Sequence, residues 1–285
     1  MVVREVVPEK YDELDQKLER ELPLSIFGLV HFRLMRRKYL LKKKMVLVDS
    51  RPDFSVLVIV DRQRSETWLI SVCFCKGPGF APNLEIILEF VSREISPPQY
   101  IVGCTSDVMD ALISAHQSAS SRPFRRKYAD AIVYTMPAEN IVPLPIPDGF
   151  HISELNDIHT EIVHKSWPFT SNEKWIQYLI TNFQSVLIET DDGRPVAWKF
   201  QQEYGAVGML LVNPEYRRRK LGSIVTRTLA EKMTKDRQLV FALVEENNDI
   251  SIAFHEKNGY VRMPFKVSSM EYFQEAKENI VNVKP

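Results

Sequence analysis

The hydrophobic pattern divides the start of the chain into one helix and a series of short strands. Residues 9–22 carry apolar side chains at steps of three and four and end at Pro23, which predicts an amphipathic helix. Short runs rich in Val, Ile, Phe and Trp follow, separated by charged or Asp/Pro turns. They predict strands over residues 27–32, 45–48, 55–60 and 67–75.

From about residue 82 the pattern changes to alternating helices and strands. Helices are predicted over residues 82–93 and 106–117, and strands over residues 100–104 and 129–134. A helix, antiparallel strands and then alternating strands and helices indicate an α+β or mixed α/β domain.

A proline-rich segment then interrupts this order. Residues 137–147 read PAENIVPLPIP, with four prolines, which is typical of a stiff, extended linker. A similar order of elements restarts after it, with strands predicted over 150–152, 185–189, 195–201, 207–212, 239–244 and 261–267, and helices over 157–165, 172–182, 222–236 and 248–257. We therefore predict two related domains, residues 1–136 and 148–285, joined by this linker.

Composition and charge narrow the classes of protein. The 285 residues are 45% hydrophobic and 26% charged, as expected of globular domains. Lysine plus arginine and aspartate plus glutamate both total 37, so no net charge favours nucleic acid. No apolar segment approaches the ~20 residues of a membrane span. The histidines and cysteines lack metal-ligand spacing, so we expect no metal site, and we expect the cysteines to be reduced and buried.

A basic loop lies between a predicted strand and a predicted helix. The apolar run 207–212 stops at Asn213-Pro214, four consecutive cations follow at residues 217–220, and Gly222 precedes the helix. The free N–H groups and the dipole of a helix N-terminus form an anion site, so a phosphate or pyrophosphate is the expected ligand. The loop has neither the Gly-Lys-Ser/Thr of a P-loop nor the three spaced glycines of a dinucleotide site.

This loop resembles the coenzyme A loop of the GNAT superfamily of N-acyltransferases, roughly V-x-P-x-x-R-x-x-G-x-G/A. Val212, Pro214, Arg217 and Gly222 match, whereas Lys220 stands where the first glycine is expected. Further strings resemble the glycine N-acyltransferase family over nearly the whole chain. These strings are LPLSIFGLVHF (22–32), VLVDSRPDFSVLVI (46–59), WPFTSNEKWIQYLITNFQSVLI (167–188), DGRPVAW (192–198) and NPEYR (213–217).

The resemblance implies a fold, an activity and a location. The fold is α/β with a mixed sheet in two tandem GNAT-like domains, the first degenerate and the second carrying the acyl-CoA site. The activity is direct transfer of an acyl group from acyl-CoA, a co-substrate and not a resident cofactor, to the amine of glycine or a similar amino acid. The location is mitochondrial, with the cytoplasm as the alternative because the acidic N-terminus is not a clear transit peptide.

The resemblance also implies which residues bind acyl-CoA. In the superfamily the pantetheine pairs with the strand before the loop, and a backbone N–H, here near Leu210, polarises the thioester oxygen. The N–H groups of residues 218–223 are expected to bind the pyrophosphate. The predicted acyl-CoA-binding residues are Met209, Leu210, Leu211, Val212, Arg217, Arg218, Arg219, Lys220, Leu221, Gly222, Ser223 and Asn248.

Two residues are predicted to move protons. His255 stands where the superfamily often has a tyrosine that protonates the departing thiolate, so it could donate that proton; a surface histidine is the alternative. Alignment through NPEYR places the glutamate proposed as the family's base at Ala206. Glu203 or a water relay is the predicted substitute.

Other interpretations stay open. Trp167, Phe169 and Trp175 fit a core or the wall of an acyl pocket. The cations between Arg33 and Lys44 fit a solvated face, or a contact to the CoA 3′-phosphate or an anionic membrane. Alternative functions are acetylation of another small or protein amine, and CoA binding without catalysis, which the missing base and the missing loop glycine would explain.

Overall fold

The computed structural model describes residues 3–63, 69–95, 99–119, 126–167 and 172–272. The first half contains four α-helices and seven strands within these ranges. The strands are β1 (Arg4–Glu5), β2 (Lys44–Val48), β3 (Val56–Asp61), β4 (Ile70–Cys75), β5 (Gln99–Thr105), β6 (Arg126–Lys127) and β7 (Ala131–Thr135). The helices are α1 (Tyr11–Arg20), α2 (Ile26–Arg37), α3 (Ala81–Glu94) and α4 (Ser106–Ala119).

The second half repeats much of this order, as the sequence predicts. Its strands are β8 (Phe150–Ser153), β9 (Ser185–Thr190), β10 (Pro195–Gln201), β11 (Val207–Val212), β12 (Phe241–Glu245) and β13 (Val261–Tyr272). Its helices are α5 (Thr160–Ser166), α6 (Glu173–Asn182), α7 (Leu221–Lys235) and α8 (Asp249–Lys257). In each half an antiparallel meander leads into a parallel pair joined by a helix, β4-α3-β5 and then β11-α7-β12.

One mixed sheet runs through both halves of the described chain. Its strand order is β1-β2-β3-β4-β5-β13-β7-β12-β11-β10-β9-β8, with β6 beside β13. The last strand of each half pairs with the other half: β7 is antiparallel to β12, and β13 is antiparallel to β5. The halves are therefore interlocked by backbone hydrogen bonds. The predicted division into domains 1–136 and 148–285 stays a prediction.

The strand predicted over residues 27–32 is wrong, because this run lies inside helix α2. Nine of the helix's residues are buried, and the ring of Phe27 lies 5.0 Å from that of Phe241 on β12. A helix that is buried on nearly every side needs no polar stripe. Its sequence is then a continuous apolar run, which periodicity alone does not distinguish from a buried strand.

The proline-rich segment 137–147 is docked along the second half. Its apolar side chains pack on the cluster beneath α7. The Asn140 side-chain amide donates a hydrogen bond to the Gly259 carbonyl at 2.8 Å, and the Arg227 guanidinium donates to the Val142 carbonyl at 2.9 Å. The proline-rich segment is therefore held against the second half by these contacts.

Candidate functional site

A cleft opens where β11 and β12 separate. Among the described residues, these parallel strands are paired at one position, Val207 with Ala242, whereas β4 and β5 in the first half are paired at three. The backbone of β11 beyond Val207 borders a cavity of about 810 Å³. A cavity of this volume accommodates a drug-sized ligand. The β4–β5 pair is therefore closed over the stretch where β11 and β12 separate.

A β-bulge interrupts β11 inside this cleft. The pairing with β10 shifts from Gly208 opposite Phe200 to Leu211 opposite Trp198, so Lys199 lies opposite two residues, Met209 and Leu210. Met209 has a φ of 52°, which is rare for a residue other than glycine. A bulge leaves the extra residue unpaired in the ladder, so its backbone polar groups are available to a ligand.

The basic loop enters α7 with two residues in the left-handed region. Arg218 has a φ of 65° and Lys220, the N-cap of α7, has a φ of 63°. This conformation costs a non-glycine residue about 1–2 kcal/mol, which is why glycine suits the position of Lys220. No residue in the described part of the chain accepts a hydrogen bond from the N–H groups of residues 218–222. These donors can therefore bind an anion.

The predicted acyl-CoA-binding residues fall into two groups. The cavity wall includes Met209, Leu210, Leu211, Val212, Arg217, Gly222 and Asn248. The side chains of Arg218, Arg219, Lys220, Leu221 and Ser223 are not part of this wall.

Three of these residues have other partners within the protein. The Arg219 guanidinium stacks on two rings, 5.6 Å from the centroid of Tyr216 and 5.9 Å from that of Phe150. The N–H of Ser223, predicted to join the anion site, donates to the Lys220 carbonyl at 2.9 Å. The Asn248 Oδ1 caps α8 by accepting a hydrogen bond from the N–H of Ser251 at 3.0 Å.

His255 lines the cavity, and its predicted role as an acid stays a prediction. Its Nδ1 lies 2.7 Å from the Ser251 carbonyl oxygen, which accepts only, so Nδ1 carries the proton. Burial, followed by the nearby charge of Lys199, lowers the pKa of His255 to about 4. The imidazole is therefore neutral at physiological pH, and its Nε2 is an acceptor.

Glu203 lies in the turn between β10 and β11, behind the cavity wall. Its side chain is buried, and its Oε1 accepts a hydrogen bond from Trp175 Nε1 at 3.0 Å. Trp175 lines the cavity, and so does Ala206, the position of the family's glutamate. Burial raises the pKa of Glu203 to about 7, an effect that the charge of Lys44 partly opposes. The Glu203 carboxylate is therefore hydrogen-bonded to a residue of the cavity wall, Trp175, but is not itself part of that wall.

Lys199 is a cavity residue that the sequence analysis missed. It lies on β10 and is 1% exposed. Burial lowers the pKa of its ammonium to about 7. The signal available in the sequence is one cation within an otherwise apolar strand, PVAWKFQ. A lysine at such a position either faces solvent or is buried because it is paired or functional, and the strand pattern alone does not distinguish these cases.

Aromatic side chains from both halves form the other end of the cavity. Trp167 and Trp175 line it, so these two residues form a pocket wall, while Phe169 lies outside the described residues. The first half adds Tyr100 and Tyr128, whose rings pack edge to face with centroids 5.6 Å apart. The interlocked sheet therefore brings the first half into the site.

Three of the seven cations between Arg33 and Lys44 form ion pairs within the molecule. Arg33 pairs with Asp15 and Glu19, Arg36 pairs with Asp12, and the buried Lys44 pairs with Asp61. The remaining cations Arg37, Lys38, Lys42 and Lys43 are exposed. None of the helices in the described residues has the length and apolar character that a membrane crossing requires. None of the described His, Cys, Asp and Glu side chains form a group that could hold a metal ion.

Curated proteins similar to this chain include several glycine N-acyltransferases. Residues 187–267 match the FR47-like protein family. Glycine N-acyltransferase of Mus musculus is 25% identical to the chain, covering 82% of this chain and 86% of its own length. Other mammalian glycine N-acyltransferases match over similar spans. The resemblance to the glycine N-acyltransferase family is therefore confirmed.

Comparison with solved structures concerns the fold. A Drosophila protein from a structural genomics programme has a TM-score of 0.77 at 18% identity, covering 94% of this chain and 98% of that one. A tandem GNAT protein from the clavulanic acid biosynthesis pathway has a TM-score of 0.55 at 10% identity, covering 95% and 98%. The predicted mixed α/β fold of the tandem GNAT type is confirmed.

Proposed function

We propose that this chain, which resembles the glycine N-acyltransferases over most of its length, transfers an acyl group from acyl-CoA to the amine of glycine or a similar amino acid. Acyl-CoA is a co-substrate in this reaction. The observation that carries the proposal is the cleft between β11 and β12, where a bulged strand edge leads directly to the unpaired N–H groups of residues 218–222. An extended ligand with a pyrophosphate at one end fits these two features together.

The proposed binding mode assigns a role to each part of the cleft. The pantetheine lies along residues 209–212, and the N–H groups of residues 218–222 bind the pyrophosphate, with Arg217 adding charge. The N–H of Leu210, beside the bulge, polarises the thioester oxygen, where negative charge develops during attack. The aromatic end of the cavity, including Trp175 and Tyr100, surrounds the acyl group and the acceptor.

The reaction is a direct attack of the amine on the thioester carbon. The C–N bond forms, the C–S bond breaks, and CoA leaves as a thiol without a covalent enzyme intermediate. The attacking amine must lose a proton, and we assign its removal to Glu203 through a water. A base works best with a pKa near the working pH, which the pKa of about 7 at Glu203 matches.

Release of free CoA thiol tests the proposal. The protein is incubated with acetyl-, octanoyl- and benzoyl-CoA, each with glycine, with other amino acids or with no acceptor, and the product is identified by mass spectrometry. We expect thiol release that depends on an amino acid, together with an N-acylamino acid. If thiol is released only with other small amines or with protein amines, the protein is an N-acetyltransferase with a different acceptor and the proposal is wrong. Tight CoA binding with no thiol release for any amine would make the protein a CoA-binding pseudoenzyme.

Two coarser features accompany this proposal. The resemblance to the glycine N-acyltransferases supports a mitochondrial location, which fractionation of cells expressing the tagged full chain would test against the cytoplasm. The repeated order of elements supports a domain boundary within residues 137–147. Limited proteolysis there should yield fragments that stay associated, because β7 and β13 each pair with the other half.

A further inference from the structure

Lys199 is a buried cation with almost no hydrogen bonding inside the protein. Its Nζ lies 3.5 Å from Thr226 Oγ1 on α7, at the limit of a hydrogen bond, and 5.5 Å from the ring centroid of Tyr260. Among the described residues, no carboxylate contributes to its pKa shift, whose only cause is burial. An unpaired ammonium is costly to bury, by several kcal/mol even after relaxation. Such a group is expected where a ligand or a reaction supplies its partner.

The position of Lys199 relates it to the proposed reacting atoms. Lys199 lies on β10 directly opposite Met209 and Leu210, the bulge residues where the thioester is assigned. Its side chain faces α7 and lines the same cavity as His255. The two side chains are close enough for the lysine charge to lower the pKa of the imidazole. Lys199 and His255 thus share the face of the cleft on which the superfamily resemblance places the CoA sulfur.

The groups that face the ammonium leave it as the available proton source. Thr226 on α7 presents its neutral hydroxyl to the ammonium, and His255 on α8 lies close enough for the lysine charge to act on its imidazole. The ring of Tyr260, the residue before β13, lies on a third side. The Tyr260 hydroxyl is not a better acid, because burial raises its pKa further from neutrality. His255 holds its proton on Nδ1 toward Ser251. No other group in this set carries a proton that it can release near neutral pH.

We propose that Lys199 is the catalytic residue that protonates the departing CoA thiolate. The inference rests on the proposed acyltransferase function and deepens it. When the tetrahedral intermediate collapses, the C–S bonding pair moves to sulfur, and a proton moves from Lys199 Nζ to that sulfur. The products are the N-acylamino acid, the CoA thiol and a neutral lysine. The lysine is protonated again by the proton that the attacking amine released, so the cycle is balanced.

A role for Lys199 as a nucleophile does not fit this chemistry. Attack by its neutral amine would form an acyl-lysine, whose amide bond is as stable as that of the product. A second transfer from that amide to an amino acid would need a new activation step that the site does not provide. An acylated Lys199 would therefore be a dead end, and the proton-donor role is the productive one.

The test compares two acyl donors that differ in their need for a proton. One is acyl-CoA, and the other is the 4-nitrothiophenyl thioester of the same acyl group, whose thiolate leaves without protonation. For Lys199→Met we expect kcat with acyl-CoA to fall about 10²- to 10⁴-fold, the usual contribution of a general acid. The KM for acyl-CoA should stay close to that of the wild type, and the rate with the aryl thioester should change little.

Lys199→Arg provides the matched variant. Arginine keeps the positive charge but does not release a proton near neutral pH. It should recover part of the lost rate through electrostatic stabilisation of the thiolate, and kcat should no longer fall as the pH rises above about 7. Circular dichroism of both variants checks that they fold.

Each outcome separates this inference from the proposed function. Wild-type rates in Lys199→Met, or equal losses with both donors, would refute the proton-donor role while leaving the acyltransferase proposal intact. Intact-mass detection of an acyl group on Lys199 during turnover would also refute it. Absence of turnover by the wild type with every acyl-CoA and amine would refute both proposals together.

Discussion

Replacing Lys199 by methionine should stabilise the folded protein at low and neutral pH. Burial lowers the pKa of this lysine from 10.5 to about 7. Each unit of that change corresponds to about 1.4 kcal/mol, so keeping the side chain buried and protonated costs the folded state about 5 kcal/mol at pH 6. Methionine has a similar unbranched shape and no charge, so it removes this cost while filling the same space.

The sign of the pH dependence follows from proton binding. Because the folded pKa lies below the unfolded pKa, the unfolded chain binds more protons between about pH 7 and 10.5, and stability rises with pH in this window. The cost of the lysine therefore falls from about 5 kcal/mol at pH 6 to about 2 kcal/mol at pH 9. The difference in stability between Lys199→Met and the wild type should shrink by about 3 kcal/mol over the same interval.

Urea unfolding at pH 6, 7.5 and 9, followed by tryptophan fluorescence, measures this difference. Taking the difference between variant and wild type cancels the titration of all other groups that the substitution does not affect. Lys42→Met is the control, because Lys42 is exposed and its replacement should produce no pH-dependent difference. If the difference in the free energy of unfolding between Lys199→Met and the wild type stays constant from pH 6 to 9, the pKa of Lys199 is not lowered by burial and this prediction is refuted.

Three further predictions concern the binding loop and the base. Arg217→Ala should weaken CoA binding, measured by calorimetry, about tenfold because Arg217 lines the cavity. Arg219→Ala removes the same charge from a side chain that stacks on Tyr216, so it should weaken CoA binding less. Equal losses of affinity in the two variants would contradict the assigned contacts. Glu203→Gln should lower kcat about 10²-fold and abolish the rise of kcat with pH through about 7, and an unchanged profile would exclude Glu203 as the base. Lys220→Gly should raise the free energy of unfolding in urea by about 1 kcal/mol, because glycine adopts the left-handed conformation of this position without strain. Lys220→Ala removes the charge but keeps Cβ and the strain, so it should not stabilise the protein.

The residue pattern predicted the elements that border the candidate site. The strand 207–212, the turn at Asn213-Pro214 and the helix that begins near Gly222 are local features, each specified by neighbouring residues. The structure places them as predicted and adds the left-handed conformation of Lys220. That conformation depends on how the loop closes onto α7, which no local pattern reports.

The protonation states could not be predicted from the sequence. His255 and Lys199 are far apart in the chain. Burial lowers the pKa of each, and the nearby charge of Lys199 lowers that of His255 further. A histidine in water has a pKa of about 6.5, a value suited to a general acid near neutral pH. Desolvation lowers the pKa of both residues below their reference values, and burial of this kind is not visible in the local sequence.

The sequence by itself indicated most of the helices and strands, the family resemblance and the basic loop between β11 and α7, because these depend on neighbouring residues and on short strings. It predicted a strand where α2 forms, because a helix buried on all sides has no polar face to reveal its period. The tertiary structure alone decided that β7 and β13 exchange places between the halves and that β11 separates from β12. Strand pairing and charge burial are interactions between distant parts of the chain, so both the cleft and the chemistry of Lys199 exist only in the folded protein.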